Sequence, residues 1–418
     1  MRFFYVILFF LVQTIQAQEI LPGAFQTNQY FSLLKNKRVA VFANHTSTIH
    51  QTHLIDTLLK SGIQVTKIFA PEHGFRGTAD AGKKISNEVD EATQIPIISL
   101  YGKKIKPSKA ELIDVDVLVF DIQDVGVRFY TFISSLQYFI DAAIENDKPL
   151  IILDRPNPNG FYIDGPVLEN EYESFVGMQA VPIVYGMTIG EYAKMLIGEK
   201  WLDWKNIRKI DERISLGELL GFEKEKDNFS LTIIPCKNYT HQSLYQLPIP
   251  PSPNLPNMQT VYWYPTTCLF EGTVLSEGRG TDYPFCIFGH PSFSKDLFKF
   301  KPISKPGASN PKFVNQDCFG WNVFKENINE TLDDLNKQIQ IKYLINAYKL
   351  FENKNEFFII PKSQNEKDYF FNKLVGSNKL KNQLKQNISV KEIRKSWQDK
   401  LIAFKKIRKK YLLYKDFE

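Results

Sequence analysis

Short apolar runs alternate with stretches whose apolar positions recur at helical spacing through the first 240 residues. Arg38–Ala43, Val65–Ala70, Ile95–Leu100, Val115–Phe120 and Leu150–Leu153 read as strands. Thr52–Ser61 reads as a helix with Leu54, Ile55, Leu58 and Leu59 on one face, and Phe132–Asn146 as a second helix. The strand runs are continuous rather than alternating, as expected for parallel strands covered on both faces. Strand–helix repetition of this kind predicts an open, mostly parallel α/β sheet.

Past Gly190 the pattern loosens. Ile189–Gly198 reads as a helix and Leu231–Pro235 as a further strand. Leu247–Pro256 is dense in proline, hence extended and stiff, and marks a crossing between domains. Beyond it, short strands mix with helices such as Leu332–Phe351 and Val390–Tyr411. A chain of 418 residues suits two domains. The expected division is an α/β catalytic domain over 18–240 and a smaller α+β auxiliary domain over 241–418.

The chain starts Met1-Arg2, then an apolar run from Phe3 to Val12, then Gln13 to Ala17. That order predicts a signal peptide over 1–17 and an exported protein, periplasmic or secreted. The run is shorter than the roughly 20 residues a spanning helix needs. Export permits disulfides, but Cys236, Cys268, Cys286 and Cys318 match no zinc spacing, and unpaired buried thiols are expected. Charge is uneven: Trp321–Glu418 holds 21 Lys+Arg against 12 Asp+Glu, so the net +6 comes from this segment. No nucleic-acid module accompanies it, so it reads as a solvated lysine-rich helix surface.

Ligands of open parallel sheets bind beyond the carboxyl ends of the strands. Asn44 and His45 follow the first strand. Glu72, His73 and Arg76 follow the second, and Tyr101 the third. Asp121, Gln123, Asp124, Arg128 and Tyr130 follow the fourth. Asp154, Arg155 and Asn157 follow the fifth. Polar groups thus converge on one rim, which predicts a polar ligand there.

Nucleotide cofactors fit poorly. The first strand-to-helix turn lacks glycine, and neither a Walker loop nor a Gly-x-Ser-x-Gly elbow is present. His45, His50, His53 and His73 fit no zinc arrangement, so no metal or other cofactor is expected. Carboxylates remain. Glycoside hydrolysis needs a protonated acid for the leaving oxygen and a second group to supply water or a nucleophile. Glu72, between a strand and a glycine-bracketed loop, suits the acid, because burial there would raise its pKa. Asp124 or Asp121 could be the second group; Asp121 has a competing task at the strand end, which favours Asp124. His73 could orient Glu72 or act as a base.

Ala70-Pro71-Glu72-His73-Gly74-Phe75-Arg76-Gly77 resembles a signature of the NamZ-type exo-β-N-acetylmuramidases. So do Val119 to Thr131, Leu153 to Pro158, Asp164 to Leu168, Tyr185 to Thr188, Pro250 to Asn254 and Glu271 to Gly280, in that order. The resemblance implies a Rossmann-like domain, a smaller auxiliary domain and an active cleft between them. It implies an exo-acting glycosidase that releases terminal β-1,4-linked N-acetylmuramic acid from the non-reducing end of peptidoglycan fragments, with Glu72 catalytic. The lactyl carboxylate of that sugar calls for arginine, whose fork reads a carboxylate through two parallel hydrogen bonds. Arg76, Arg128, Arg155 and Arg279 are the candidates. Arg279 is flanked by Gly278 and Gly280 and accompanied by Glu277. Two rivals stand beside this reading. One is a non-catalytic binder of wall fragments; the other is a metal-dependent hydrolase, such as a deacetylase, acting on cell-wall sugars.

Overall fold

A computed structural model describes residues 18–71, 75, 88–203 and 229–418. Residues 1–17, expected to be a signal peptide, and the candidate residues Glu72, His73 and Arg76 lie outside the described residues.

Twelve strands are numbered in chain order among the described residues. They are β1 (Arg38–Ala43), β2 (Thr48–Ile49), β3 (Thr52–His53), β4 (Gln64–Ala70), β5 (Glu88–Val89) and β6 (Pro96–Ser99). Next come β7 (Val117–Asp121), β8 (Leu150–Leu153), β9 (Leu231–Ile234), β10 (Ile287–His290), β11 (Phe298–Phe300) and β12 (Cys318–Asn322). The main sheet runs β5-β6-β4-β1-β7-β8-β9, parallel except for the β5 edge. Without that edge the order is 3-2-1-4-5-6, the doubly wound arrangement, with its switch point between β1 and β7.

The continuous apolar runs have the expected cause: both faces of the sheet are covered. Val39, Val41 and Ala43 of β1 join one core cluster, with Leu54 and Leu58 of the helix Leu54–Lys60. Ala40 and Phe42 join the other. There Phe42 stacks on Phe120 at 4.8 Å and meets Phe139 edge-on at 5.2 Å. This second cluster continues into the C-terminal half through Trp263, Phe288, Tyr348 and Phe404.

The C-terminal half has a three-stranded antiparallel sheet, β10-β12-β11, surrounded by short helices. The single helix expected over Leu332–Phe351 is two, Ile328–Leu335 and Ile341–Leu350. The break falls at Asn336, which takes the left-handed conformation that asparagine tolerates at a helix end. Val390–Tyr411 likewise divides into Val390–Lys395 and Gln398–Arg408, followed by a single 3-10 turn. The lysine-rich surface is partly paired with the first half of the chain. Lys379 and Lys400 reach Glu169, and Lys410 reaches Glu199. The tail also returns to the main sheet, where the Tyr414 hydroxyl donates to Asp154 Oδ2 at 2.5 Å. All four cysteines are unpaired and buried.

Candidate active site

The rim of the sheet is where the sequence places it, but most of its polar groups bond to one another. Asp121, at the end of β7, is fully buried and takes two bonds from Arg155: Nε to Oδ1 at 2.6 Å and Nη2 to Oδ2 at 2.8 Å. Arg155 Nη2 also donates to the Thr48 carbonyl at 3.1 Å. Asn44 Oδ1 accepts from the Thr46 amide (2.9 Å) and hydroxyl (2.6 Å), and the Thr46 hydroxyl oxygen accepts from the Gln123 amide at 3.1 Å. Gln123 Nε2 donates to the carbonyls of Asp124 and Pro156, each at 2.8 Å. This lattice joins the loops that follow β1 and β7, the two strands that flank the switch point.

Asp154, at the end of β8, accepts from the Gly190 amide at 2.8 Å and the Thr188 hydroxyl at 2.7 Å. It therefore caps the helix Ile189–Gly198, where a carboxylate meets unpaired amides. Asn157 Nδ2 donates to the Met187 carbonyl at 2.8 Å. Arg128, fully buried, donates to the carbonyls of Pro166 (2.9 Å), Val181 (2.6 Å) and Leu374 (2.8 Å). Burial pushes its pKa down to about 9.

Seven side chains expected in the site, Asn44, Asp121, Gln123, Arg128, Asp154, Arg155 and Asn157, thus hold loops to strand ends and, through Arg128 and Asp154, join the two halves of the chain; none is in the lining of the cleft described below. The physical reason is general: a buried polar group needs partners, and at strand ends the nearest are loop amides and carbonyls. Asp124 differs. Its Oδ2 accepts from the Gly126 amide at 2.6 Å and from the Tyr185 hydroxyl, while Oδ1 has no hydrogen-bond partner. Burial raises its carboxyl pKa to about 6. Asp124 is nonetheless absent from the lining of the cleft described next.

That cleft, of about 690 Å³, opens between the rim and the C-terminal half. The size falls within the usual range of small-molecule sites. On the rim side it is lined by Tyr101, Tyr130, Phe132 and Phe175, with Tyr101 and Phe175 ring centroids 6.1 Å apart. Its second border is the proline-rich segment, which contributes Ser252, Asn254 and Leu255. Two carbonyls tether this segment to the rim: Pro250 O lies 2.9 Å from His45 Nε2, and Pro251 O accepts from the Tyr130 hydroxyl at 2.8 Å. The stiff segment therefore acts as a wall of the cleft. Tyr185 and Trp263 are fully buried in the core.

The third border is charged and comes from the C-terminal half: Glu271, Glu277, Arg279 and Lys312. Arg279 Nη2 donates to Glu271 Oε1 at 2.6 Å, and its Nε lies 3.4 Å from Glu277 Oε1. The two carboxylates hold the guanidinium pKa above its ordinary value despite burial. Gly278 and Gly280 shape this turn, both at positive φ. A Cβ on Gly278 would sit 2.1 Å from the Ile287 carbonyl oxygen. Lys312 Nζ lies 3.1 Å from Glu277 Oε2. Glu271 and Lys312 were not singled out from the sequence. Glu271 opens a segment recognised there as distinctive, so a signal existed; Lys312 sits in a stretch with none.

A doubly wound, mostly parallel sheet facing a second region across a polar cleft defines a Rossmann-like fold. The sequence matches the model of the exo-β-N-acetylmuramidase NamZ N-terminal domain over residues 39–259 and that of the C-terminal domain over 262–414. The chain belongs to the NamZ family. It is similar to the peptidoglycan β-N-acetylmuramidase NamZ of Bacillus subtilis (strain 168), with 34% identity over 408 residues, covering 92% of this chain and 89% of that protein. Two crystal structures of DUF1343 family proteins from Bacteroides fragilis share the fold. One is 43% identical with a TM-score of 0.81, covering 96% of this chain and 100% of that one. The other is 28% identical with a TM-score of 0.76, covering 95% and 99%.

Proposed function

We propose that this chain is an exo-acting β-N-acetylmuramidase. It removes terminal β-1,4-linked N-acetylmuramic acid from the non-reducing end of peptidoglycan fragments. The observation that carries this reading is the cleft itself, with tyrosine and phenylalanine on one side and a formally neutral set of two carboxylates and two cations on the other. Aromatic faces suit sugar rings, and balanced charge accepts a sugar that carries its own carboxylate. Arg279 spends Nη2 and Nε on the two glutamates, which leaves Nη1 to meet the lactyl carboxylate as a single-nitrogen contact and not as the two-pronged fork expected from the sequence.

Glu72 is the proposed general acid. It follows β4, whose end pairs with β6, and the cleft-lining Tyr101 follows β6. The protein is proposed to be exported, with a mature chain beginning near Gln18. N-terminal sequencing of the protein recovered outside the cytoplasm checks this. Among the described residues no helix is long and apolar enough to cross a membrane.

The activity is tested with peptidoglycan oligosaccharides that end in muramic acid. Free N-acetylmuramic acid released stepwise, with chains ending in N-acetylglucosamine left intact, is the expected result. Internal cleavage into mid-sized fragments, or no release, would overturn the reading.

A further inference from the structure

We infer that four backbone carbonyls and one carboxylate of the charged wall form a monovalent-cation cage, which the chain fills with its own ammonium, that of Lys312. Lys312 is thereby a positioning residue for the wall. Its effect on turnover rests on the function proposed above; the cage itself does not. Lys312 Nζ lies within hydrogen-bond distance of the carbonyl oxygens of Phe270 (3.1 Å), Glu271 (3.2 Å), Thr273 (2.9 Å) and Leu275 (2.9 Å). Glu277 Oε2 is a fifth oxygen, at 3.1 Å. An ammonium has three N–H donors, so these oxygens exceed what it can pair one to one. They are gathered around a charge, as the carbonyls of a potassium filter replace an ion's water.

The chain makes a cation necessary here. The 3-10 turn Cys268–Gly272 ends at the cage, and helix ends leave carbonyls without intrahelical donors. Phe270, Thr273 and Leu275 are buried. Among the described residues, no backbone amide donates to the carbonyls of Glu271, Thr273 or Leu275. A buried carbonyl without a donor is costly, and the ammonium supplies one. The Glu277 side chain is only 4% exposed, so its charge also needs a cation beside it. The same ammonium joins two borders of the cleft. Its segment begins at Gly307, whose carbonyl accepts from Asn254 Nδ2 of the proline-rich wall at 2.8 Å. At the other end Nζ holds the turn that carries Glu271, and Glu271 Oε1 holds Arg279.

Such a cage predicts chemical rescue. Lys312 lines the cleft and its side chain is 28% exposed, so an ion from solvent reaches the cage once the side chain is cut back. Potassium and ammonium ions are similar in size, lithium is much smaller and choline is larger. Lys312→Ala empties the cage. Lys312→Met removes the charge but keeps an unbranched chain in the way of an entering ion.

The test uses the full-length protein in the chlorides of choline, lithium, potassium and ammonium at equal ionic strength. Melting temperature reads the cage, and steady-state hydrolysis of an aryl β-N-acetylmuramide reads the wall. In choline both variants should melt several degrees below the wild type, with kcat falling by a larger factor than KM rises. Potassium or ammonium should raise the melting temperature of Lys312→Ala by about 2 °C or more over choline and lithium, and restore its kcat severalfold. The wild type and Lys312→Met should show no such preference. Either variant melting with the wild type overturns the cage. So does a loss in Lys312→Ala that potassium and ammonium leave unreversed, or that lithium reverses equally. Failure of Lys312→Ala to fold in every salt, beside a folded Lys312→Met, also overturns it. A recovered melting temperature without recovered kcat overturns the positioning role. An inactive wild type instead overturns the proposed function, and the melting temperatures still decide the cage.

Discussion

At the carboxyl rim of the main sheet, Asp121, Arg155, Asn44 and Gln123 bond to one another or to the backbone and have almost no exposed surface. Across the cleft, Glu271 and Arg279 also form an ion pair, but each side chain keeps about a fifth of its surface open, 20% and 19%. Both regions are charged and both follow motifs dense in polar residues. They differ in what remains available. Among the described residues, these rim side chains are spent on fixing loops to strand ends, while the facing wall keeps donors and acceptors at its surface. The strand ends thus position the cleft, and much of the accessible chemistry is contributed by a turn of the other half.

The largest effect expected from this contrast is on stability. Arg155→Met leaves the buried Asp121 carboxylate without its partner and should cost about 3–5 kcal/mol. Arg279→Met, whose side chain is 19% exposed and whose partner Glu277 keeps Lys312 beside it, should cost less, about 1.5–3 kcal/mol, while lowering turnover. Urea denaturation of both variants separates the two, and equal losses would erase the distinction between rim and wall.

Asp124 sharpens the comparison through pH. Its folded pKa is raised to about 6, chiefly by burial, against 3.8 in the unfolded chain. Between these values the folded state holds the proton and the unfolded state has lost it, so stability falls as pH rises. The contribution present below the lower value is lost through the upper one and amounts to about 3 kcal/mol. Asp124→Asn should flatten that part of the stability–pH curve. A variant with the wild-type slope would mean that another group titrates there.

A smaller change is expected at Lys312. Lys312→Met removes an ammonium that shares its three N–H donors among four nearby carbonyls and should lower stability by about 1–3 kcal/mol, with a larger fractional loss of turnover than of substrate affinity. Calorimetry with steady-state kinetics reads both. The smallest effect is expected at Glu169, whose pairs with Lys379 and Lys400 are exposed on the lysine side. Glu169→Gln should cost less than about 1 kcal/mol and leave kcat unchanged.

The fold was legible where burial acts on both faces of a strand. Arg38–Ala43 and Leu150–Leu153 coincide with β1 and β8, because a strand covered on both sides must be apolar throughout. The antiparallel β5 edge was not legible, since its two residues are exposed and carry no pattern. Nor was the helix Met258–Thr267, which holds Pro265 and whose apolar positions surround it rather than forming one stripe. In the site, strand-end position indicated which residues gather at the rim. It could not indicate which ones would use one another as partners, because Arg155 meets Asp121 from 34 positions away. Availability depends on tertiary neighbours, and Lys312 reaches its four carbonyls across about 40 residues of intervening chain.

The most direct test of the account is the release of chromophore from an aryl β-N-acetylmuramide by wild type and by Glu72→Gln at matched stability. The account predicts steady release by the wild type and a fall of about 10²–10⁴-fold in kcat for the variant. Release by the variant at the wild-type rate would contradict it.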